Sequence, residues 1–428
     1  MITRMKKCGA FGKAGRDLAI LFLSMSVLAA CDTSRFLNVT APSRLPAADL
    51  ESPSNAPLLV DGAVEDFGCA FASVVLVEAI VSDEFSDAQL GAAAWPYDRR
   101  DANTQPSGIY GTSGCDSNQN PGVYRPLSTA RFSADNALKL LQGWTDAEVP
   151  KRDSLIAVAA LYSAYSYTWL GMTMCNAAID EGPEIGQQDL FALAEDKFNL
   201  AIQEGGTAGL TDLVNAAYVG RARVRLFQGD MSGAISDAQQ VPAGFVYNAD
   251  YSSANNRRYN RVFASNVQYR MYSVEDQDRA LMTAGVVDPR TVAQDSHQAG
   301  ADGSDVWVQT KYTSFSSPIP IAKYEEAQLI LAEAEGGQAA VAIINGLRDE
   351  VGLPHFQSTD PQAIMNQVID ERRKVLFVEG QRQYDIERFN LPQVPAPGTA
   401  YPVKGGTYGN TTCFPLPNVE RFNNPNIP

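Results

Sequence analysis

Small side chains recur at a fixed spacing in separate parts of the chain, and this pattern constrains the fold more than any other feature. Ala194, Phe198 and Ala201 form a small–large–small series at steps of four and three, typical of the second helix of a tetratricopeptide repeat. Ala222 lies seven residues before Gly229, which is again repeat spacing. Small residues let paired helices approach closely, so the pattern predicts stacked helix pairs. The predicted pairs cover residues 153–203, 212–241 and 324–351.

Two long segments interrupt this helical pattern. Apolar periodicity predicts helices at 57–83 and 127–144, and the segment between them, 84–124, is an unusually long loop. Residues 245–317 form a second, polar and aromatic-rich insertion that breaks the repeat spacing. Several prolines beyond Asn390 exclude regular helix there. The predicted fold class is therefore mainly α, a tetratricopeptide-like helical repeat scaffold with long loop-rich insertions.

The N-terminus carries the pattern of a lipoprotein signal. Basic residues precede an apolar run from Leu18 to Ala30, which is shorter than the roughly 20 residues that a membrane span needs. The run ends in small residues before Cys31, as in a lipobox. We therefore predict a signal peptide at 1–30 and a mature domain at 31–428, held to the membrane by acyl chains on Cys31. An ordinary signal peptide with an incidental cysteine is the alternative.

Once the signal is removed and Cys31 is acylated, four cysteines remain. An even number in an exported protein indicates two disulfides, and three connectivities are possible. We favour Cys69–Cys115, which would fasten the long loop to the helix before it, and Cys175–Cys413, which would tie the C-terminal tail to the helical body. Free buried thiols are the alternative. A zinc site is not expected, because there is no CxxC pair and only 2 histidines are present.

Charge and missing motifs exclude several classes of function. The mature chain holds 29 Lys+Arg against 48 Asp+Glu, a formal charge of −19, so nucleic acid is not an expected partner. The chain has no GxSxG, HExxH or GxxxxGKS/T motif, and no GxGxxG followed by an acidic residue. We therefore predict a binding protein without a cofactor, and not an enzyme.

Three further segments carry motifs that are more specific than composition. Residues 36–42 read FLNVTAP, residues 318–327 read PIPIAKYEEA, and residues 371–388 read ERRKVLFVEGQRQYDIER. In this order they resemble the SusD/RagB family of nutrient-uptake outer-membrane lipoproteins, although Lys323 stands where that family usually has Arg. The motif positions in the last segment are Glu371, Arg372, Arg373, Glu379, Gly380, Arg382, Asp385 and Arg388. The resemblance implies a SusD-like fold for the mature chain.

Charged residues of opposite sign lie three apart within the last motif, as neighbours on a helix would. These pairs are Glu379–Arg382, Arg382–Asp385 and Asp385–Arg388. We interpret the motif as a charge network that holds the last helices on the repeat scaffold, with Gly380 permitting a break or a close contact. A carboxylate pair for glycosidic chemistry is the rival interpretation, but the neighbouring arginines favour paired, ionised carboxylates.

The family resemblance implies a role in nutrient uptake. Such proteins are anchored in the outer membrane, face the cell exterior, capture an oligosaccharide and pass it to a TonB-dependent SusC-like barrel. A minority of these proteins capture peptides, so the ligand class stays open. Whether the protein faces the cell exterior or the periplasm also stays open. A repeat-containing scaffold lipoprotein of outer-membrane assembly is the alternative from another class, and it would lack the C-terminal motif.

Candidate ligand contacts follow from the chemistry of sugar capture. A pyranose ring offers an apolar face to an aromatic side chain, and its hydroxyl groups need amide or carboxylate partners. The loop that ends at Tyr124 supplies both kinds of residue, and the second insertion supplies further aromatic residues. The predicted ligand contacts are Trp95, Tyr97, Asn103, Tyr110, Trp307 and Tyr312. The alternative is that these aromatic side chains pack the loops onto the body.

Overall fold

The computed structural model describes residues 50–91, 95–102, 108–422 and 424–427, and the elements given below all lie within the unit Pro53–Pro428. Over the described residues the fold is mainly α, as predicted. The helices are α1 Ala56–Val81, α2 Trp95–Asp98, α3 Ile109–Thr112, α4 Tyr124–Gly143, α5 Arg152–Thr173, α6 Gln187–Thr207, α7 Thr211–Gln228, α8 Met231–Ala238, α9 Tyr324–Glu335, α10 Gly337–Asp349, α11 Pro361–Val375, α12 Arg382–Arg388 and α13 Asn418–Arg421.

The longer helices pack side by side in chain order. Helix α1 contacts α4 and α5, α5 contacts α6, α6 contacts α7, and the series continues through α8, α9 and α10. The pairs α5–α6, α7–α8 and α9–α10 lie where the sequence predicts pairs at 153–203, 212–241 and 324–351. Helix α11 then packs on α9, and α12 returns to α1. The tetratricopeptide-like scaffold is therefore confirmed.

The small residues of the repeat pattern let large aromatic side chains enter the helix interfaces. Phe198 of α6 is fully buried, and its ring lies against Gly220 of α7. A Cβ atom at Gly220 would come within 2.2 Å of Phe198 Cζ, so any larger residue there would separate the helices. Ala194 and Ala201, on either side of Phe198, are also fully buried. The small–large–small pattern thus reports a close contact between helices.

Helix α5 is the one described helix whose length and apolar composition would suit a membrane span. Of its apolar window, 89% is buried inside the protein. The helix contacts α1, α4 and α6, and Trp169 near its end is 1% exposed. Its hydrophobic character is thus accounted for by packing on several sides within the core.

The strands are short, and most lie in or beside the two insertions, while Asn176–Ala178 and Glu184–Gly186 lie between α5 and α6. They are β1 Phe85–Asp87, β2 Asn176–Ala178, β3 Glu184–Gly186, β4 Val246–Ala249, β5 Tyr272–Val274, β6 Met282–Thr283, β7 Val286–Val287, β8 Ala293–Ala299, β9 Asp305–Gln309 and β10 Ile319–Lys323. They form antiparallel pairs, of which β1–β5 joins the first loop to the second insertion. The pair β4–β10 closes the base of that insertion. The insertion predicted at 245–317 therefore contains regular but short structure.

Two disulfides fasten the irregular segments to the scaffold. The S–S distance is 2.10 Å for Cys69–Cys115 and 2.02 Å for Cys175–Cys413. These are the two pairings favoured from the sequence. The first joins α1 to the long loop, and the second joins the end of α5 to the C-terminal tail. The Cys175 N–H donates to the Phe414 carbonyl at 2.8 Å and the Phe414 N–H donates to the Thr173 carbonyl at 2.9 Å, which continues the second attachment.

The motif at 371–388 forms a buried charge network. Glu371 is fully buried and accepts hydrogen bonds from Arg348 Nε at 2.7 Å and Arg290 Nη1 at 2.8 Å. Arg372 Nε donates to Asp385 Oδ2 at 2.8 Å. These contacts join α11 to α10, to the second insertion and to α12. The motif therefore stabilises the attachment of the last helices, as the sequence indicates.

Some ion-pair partners in this network are not the residues that the three-residue spacing predicts. Asp385 and Arg388 do pair within α12, at 2.8 Å. Glu379 precedes the helix and instead contacts Lys311 and Lys323, at 2.6 and 2.5 Å. The predicted pairs Glu379–Arg382 and Arg382–Asp385 are therefore wrong. Arg382 instead makes a bidentate ion pair with Asp83, just after the end of α1. Arg373 pairs with Asp278. The sequence could not show these partners because they lie far along the chain.

Candidate ligand-binding groove

Four loop segments converge on a concave surface beside the first β pair. Residues 88–91, 119–120, 269–271 and 298–301 line a cavity of about 520 Å³, here called the main cavity. A smaller one of about 280 Å³, the side cavity, lies next to it and shares Gln119, Tyr269 and Met271 with it. Together the two cavities are called the groove. A volume of this size suits a small ligand or part of a polymer.

Hydrogen bonds between the loops set the shape of the main cavity. Strands β1 and β5 pair in antiparallel register, and beyond them the Ala88 N–H donates to the Met271 carbonyl at 2.9 Å. On its other side, the Asp302 N–H donates to the Ala88 carbonyl at 3.1 Å. Ala88 thus lies between two segments that are far away in sequence. The groove exists only because the first loop and the second insertion meet here.

Tyr269 offers an exposed aromatic face where the two cavities join. The residue is 41% exposed, and its ring centroid lies 6.3 Å from that of Phe315. Phe315 in turn packs on Tyr259 at 4.3 Å and on Phe263 at 5.1 Å. The Tyr269 N–H donates to the Ala264 carbonyl at 2.9 Å, at the end of the π-helix Phe263–Gln268. The exposed ring therefore rests on an aromatic cluster that limits its movement.

Polar side chains, most of them uncharged, surround Tyr269. The uncharged ones are Gln89, Gln119, Asn120 and Gln298 in the main cavity, and Ser117, Asn118 and Asn256 in the side cavity. Asp116 is the acidic residue among the described residues that line the side cavity. Gln89 is held in place, because its Nε2 donates to Asp87 Oδ2 at 3.2 Å. Amide groups both donate and accept hydrogen bonds, so they suit hydroxyl groups, which do the same. Among the described residues, Arg270 is the one charged side chain that lines the main cavity.

Behind the groove, residues 86–91 and 298–305 form a wall that separates it from a rear cavity of about 460 Å³. Asp98, which lines the rear cavity, accepts hydrogen bonds from the Tyr401 hydroxyl at 2.6 Å and from the Asp87 N–H at 2.7 Å. Burial raises the pKa of Asp98 to about 6, even though these hydrogen bonds favour the ionised form. The C-terminal tail therefore supports the wall from the rear.

The predicted contacts in the first loop lie elsewhere. Tyr97 and Tyr110 are each 1% exposed, and both rings pack on Phe414 of the tail, with centroids 5.7 and 4.9 Å away. Their interpretation as stacking platforms is therefore corrected, because a buried ring has no face for a ligand. Trp95 is partly exposed, and the Arg99 guanidinium covers its ring at 4.9 Å. Asn103 lies outside the described residues.

The predicted contacts in the second insertion also have protein partners. Tyr312 is 3% exposed, and its hydroxyl donates to the Val378 carbonyl at 3.2 Å, so its assignment is corrected to packing. Trp307 is partly exposed, with the Arg279 guanidinium 5.0 Å from its ring centroid. None of these residues lines the groove. Tyr269 belongs to the same aromatic-rich insertion, but its sequence context does not distinguish it from Trp307.

Comparisons with known proteins agree with this architecture. Residues 246–423 match the model of the SusD family. A SusD superfamily protein from Bacteroides vulgatus has 14% identity and a TM-score of 0.64, covering 88% of this chain and 98% of its own. A SusD-like carbohydrate binding protein from the same species has 15% identity and a TM-score of 0.63, covering 88% and 97%. A SusD superfamily protein from Parabacteroides distasonis has 15% identity and a TM-score of 0.60, covering 90% and 99%.

These similarities define the class of protein. The fold is the SusD-like combination of a helical repeat scaffold with loop-rich insertions. No curated protein sequence matches the chain. The family match over residues 246–423 and the SusD-like fold of the structural neighbours confirm the resemblance inferred from the motifs.

Proposed function

We propose that this protein is a surface lipoprotein that captures a saccharide in the groove and delivers it to a TonB-dependent outer-membrane transporter. The observation that carries the proposal is the exposed ring of Tyr269 among uncharged amide side chains. The SusD-family match includes this part of the chain. One structural neighbour is described as a SusD-like carbohydrate binding protein and another as a putative sugar binding protein.

The chemistry of the groove sets the expected affinity. An aromatic side chain can bury on the order of 150–250 Å², and one face of Tyr269 offers about half of that. At about 25 cal/mol per Å², stacking on a sugar ring contributes roughly 2 to 3 kcal/mol before the costs of association. Amide hydrogen bonds to hydroxyl groups add about 1 kcal/mol each. The expected dissociation constant therefore lies between micromolar and millimolar, about −8 to −4 kcal/mol.

Binding is tested by measuring affinity for a panel of soluble polysaccharides with the full-length mature protein. Tyr269→Ala should weaken binding at least about tenfold, equal to 1.4 kcal/mol, while Tyr269→Phe should retain most of it. Phe132→Ala is the matched control, because Phe132 is an exposed aromatic residue (56%) on helix α4 outside the groove. Unchanged affinity in Tyr269→Ala would reject the groove as the binding site, and binding of peptides alone would reject a saccharide ligand.

Trp95 and Trp307 remain proposed as flanking contacts for a longer ligand, since both are partly exposed. Each is covered by an arginine, so a ligand would have to displace Arg99 or Arg279. Their substitution by Ala is therefore expected to reduce affinity less than Tyr269→Ala does.

The anchor and the transporter are separate parts of the proposal. Cys31, the proposed acylation site, lies outside the described residues. Cys31→Ala should move the protein from the membrane fraction to the soluble fraction, and a variant that still sediments with outer membranes would contradict the anchor. Purification of the tagged protein from outer membranes of its host should recover a TonB-dependent barrel, and its consistent absence would contradict delivery.

A further inference from the structure

The charge of the main cavity differs in sign from that of the protein. The whole chain has a formal charge of −15, yet Arg270 is the one charged side chain among the described residues that line this cavity. No carboxylate of the described residues forms an ion pair with it. The internal segments outside the described ranges, 92–94 and 103–107, contain no acidic residue. Arg270 thus places a positive charge without an ion-pair partner in the main cavity beside Tyr269, while Asp116 lines the adjoining side cavity.

Most other arginines of the second insertion pair with a carboxylate of the protein. Arg261 does not, but it is buried and donates hydrogen bonds to Asn118 Oδ1 and to the Asn256 carbonyl. Arg279 pairs with Asp276 at 2.6 Å, and Arg258 pairs with Glu65 at 3.1 Å. Arg257 contacts Asp66. In an acidic protein, carboxylates are abundant, so an arginine in a concave surface without such a partner is notable. Its planar guanidinium with five N–H donors remains available to a ligand.

The backbone at Arg270 also disfavours this residue. Its φ is +53°, a left-handed conformation that costs a non-glycine residue roughly 1–2 kcal/mol. The conformation is fixed by its neighbours, since the Tyr269 N–H donates to Ala264 and the Met271 N–H donates to Ser265, at 2.9 and 2.8 Å. Glycine or asparagine would meet this requirement at lower cost. Arg100 and Lys151 also adopt positive φ, so the conformation supports a role for Arg270 only together with the position of this residue in the main cavity.

We infer that the groove recognises an anionic saccharide, in which Arg270 binds a carboxylate or sulfate group while Tyr269 stacks on a sugar ring. This inference rests on the proposed function and specifies its ligand class. Guanidinium groups bind carboxylate and sulfate through two parallel N–H···O contacts, which are stronger than hydrogen bonds between neutral groups. The amide side chains would then bind the remaining hydroxyl groups.

The net charge of the protein does not oppose this recognition at short range. At physiological ionic strength the Debye length is about 8 Å, so exposed carboxylates beyond that distance are largely screened. A group in direct contact with Arg270 is dominated by that contact. The negative surface would instead repel anionic polymers that cannot place a charge at Arg270, which adds to selectivity.

The experiment compares saccharides that share a backbone and differ in charge. Oligogalacturonides and their methyl esters form one pair, and sulfated carrageenan oligosaccharides and their desulfated counterparts form a second, which distinguishes a carboxylate from a sulfate. Calorimetry with the mature protein should show at least about tenfold tighter binding of one charged member than of its neutral counterpart. Arg270→Gln should remove that preference, and Tyr269→Ala should weaken binding of the charged member.

Lys151→Gln is the matched control. Lys151 is an exposed basic residue that has positive φ like Arg270, +57°, but it lies at the start of α5 and outside the groove. Arg270→Gly separates recognition from stability, because glycine accepts the backbone conformation: binding should fall while the melting temperature holds or rises. A charge preference that persists in Arg270→Gln, or equal binding of charged and neutral members, would overturn the inference and leave saccharide capture standing. No binding to any saccharide of the wider panel would overturn the proposed function itself.

Discussion

Lys404 and Asp87 form a buried ion pair that joins the C-terminal tail to the wall of the groove. Lys404 Nζ lies 2.8 Å from Asp87 Oδ1, and 3.1 Å from Asp302 Oδ2 on the second segment of the wall. The side chains of Lys404 and Asp87 are 2% and 0% exposed. One ammonium thus contacts both loop segments whose approach shapes the main cavity. The proline-rich tail therefore has a structural role at the site.

Lys404→Met is expected to destabilise the protein, because it leaves two carboxylates close together without their counter-charge. Removing one partner of a buried ion pair costs about 3–5 kcal/mol. Chemical denaturation should show this loss of unfolding free energy, and Lys139→Met, an exposed lysine on α4, should show almost none. Adding Asp87→Asn should recover part of the loss. If the double variant loses as much unfolding free energy as the two single variants together, the result would contradict a direct Lys404–Asp87 interaction.

Glu84 predicts a pH dependence of stability. Burial raises its pKa from 4.5 to about 8, although the Val378 N–H donates to its Oε1 at 3.0 Å, and its Oε2 has no hydrogen-bond partner among the described residues. The unfolded chain ionises near 4.5, while the folded protein keeps the proton. The free energy of unfolding should therefore fall as the pH rises from about 4.5 to 8 and level off above that, by an amount on the order of 5 kcal/mol.

Glu84→Gln removes this titration and keeps the acceptor for Val378. The variant should melt close to the wild type near about pH 5 and at a higher temperature near about pH 8. Thermal melts across this range give the comparison directly. A difference in melting temperature that is constant with pH would show that ionisation of Glu84 is not the cause.

The helical scaffold was predictable because its determinants are local. Phe198 and its alanine neighbours lie within two turns of one helix, and their spacing alone indicates the face that packs. The favoured disulfides also agreed with the structure, since each joins a long irregular segment to a helix. The motif at 371–388 was interpreted correctly as a charge network, but partners such as Asp83 lie about three hundred residues away in sequence. A spacing pattern predicts contacts within one helix and cannot identify a partner so far away in the sequence.

The groove was not predictable because exposure depends on tertiary contacts. Tyr97 and Tyr269 have similar polar surroundings in sequence. Phe414 covers the first ring, while nothing among the described residues covers the outer face of the second. The C-terminal tail determines which of the two rings is buried, because the second disulfide holds this tail over the first loop. The prediction based on aromatic density in loops included the insertion that holds Tyr269 but selected Trp307 and Tyr312 in it.

Glu379 links two lysines, and its removal tests the charge network. Its Oε1 contacts Lys311 Nζ and Lys323 Nζ, at 2.6 and 2.5 Å. Burial acts to raise the pKa of Glu379, but the two ammonium groups outweigh it and hold the pKa below its usual range. Its stabilising contribution is thus present above the unfolded value near 4.5 and lost as the pH falls through the folded value.

Glu379→Gln is expected to cost about 3–5 kcal/mol at neutral pH, because the ammonium of Lys323, which is largely buried, and that of Lys311, which is partly exposed, remain without a counter-charge. The deficit should shrink in acid once the pH falls below the lowered pKa of the wild-type carboxylate, which is then itself protonated. Denaturation at neutral pH and in a series of acidic buffers gives the comparison, and Asp61→Asn, at an exposed position of α1, is a neutral control. An equal deficit in acid would indicate a packing defect instead of lost charge.

Gly380 and Gly229 provide a matched pair for the last prediction. Both have positive φ, +81° and +82°. A Cβ atom at Gly380 would lie 3.2 Å from ring atoms of Trp169 and 3.2 Å from Val75 Cγ2, whereas a Cβ atom at Gly229 would meet nothing within 4 Å. Substitution by Ala therefore carries the same backbone cost at both positions, about 1–2 kcal/mol, but adds a steric conflict only at Gly380.

Gly380→Ala should consequently lower the unfolding free energy by about 1–3 kcal/mol more than Gly229→Ala does, which is the usual cost of overpacking a core. The neighbours cannot move aside easily, because Trp169 is 1% and Val75 0% exposed, and each is fixed within a long helix. Denaturing the two variants in parallel separates the steric cost at Gly380 from the backbone cost, which is the same at both positions. Equal losses would mean that the contact between the C-terminal motif and helices α1 and α5 is loose enough to accept a methyl group, and that the glycine is required by backbone conformation alone.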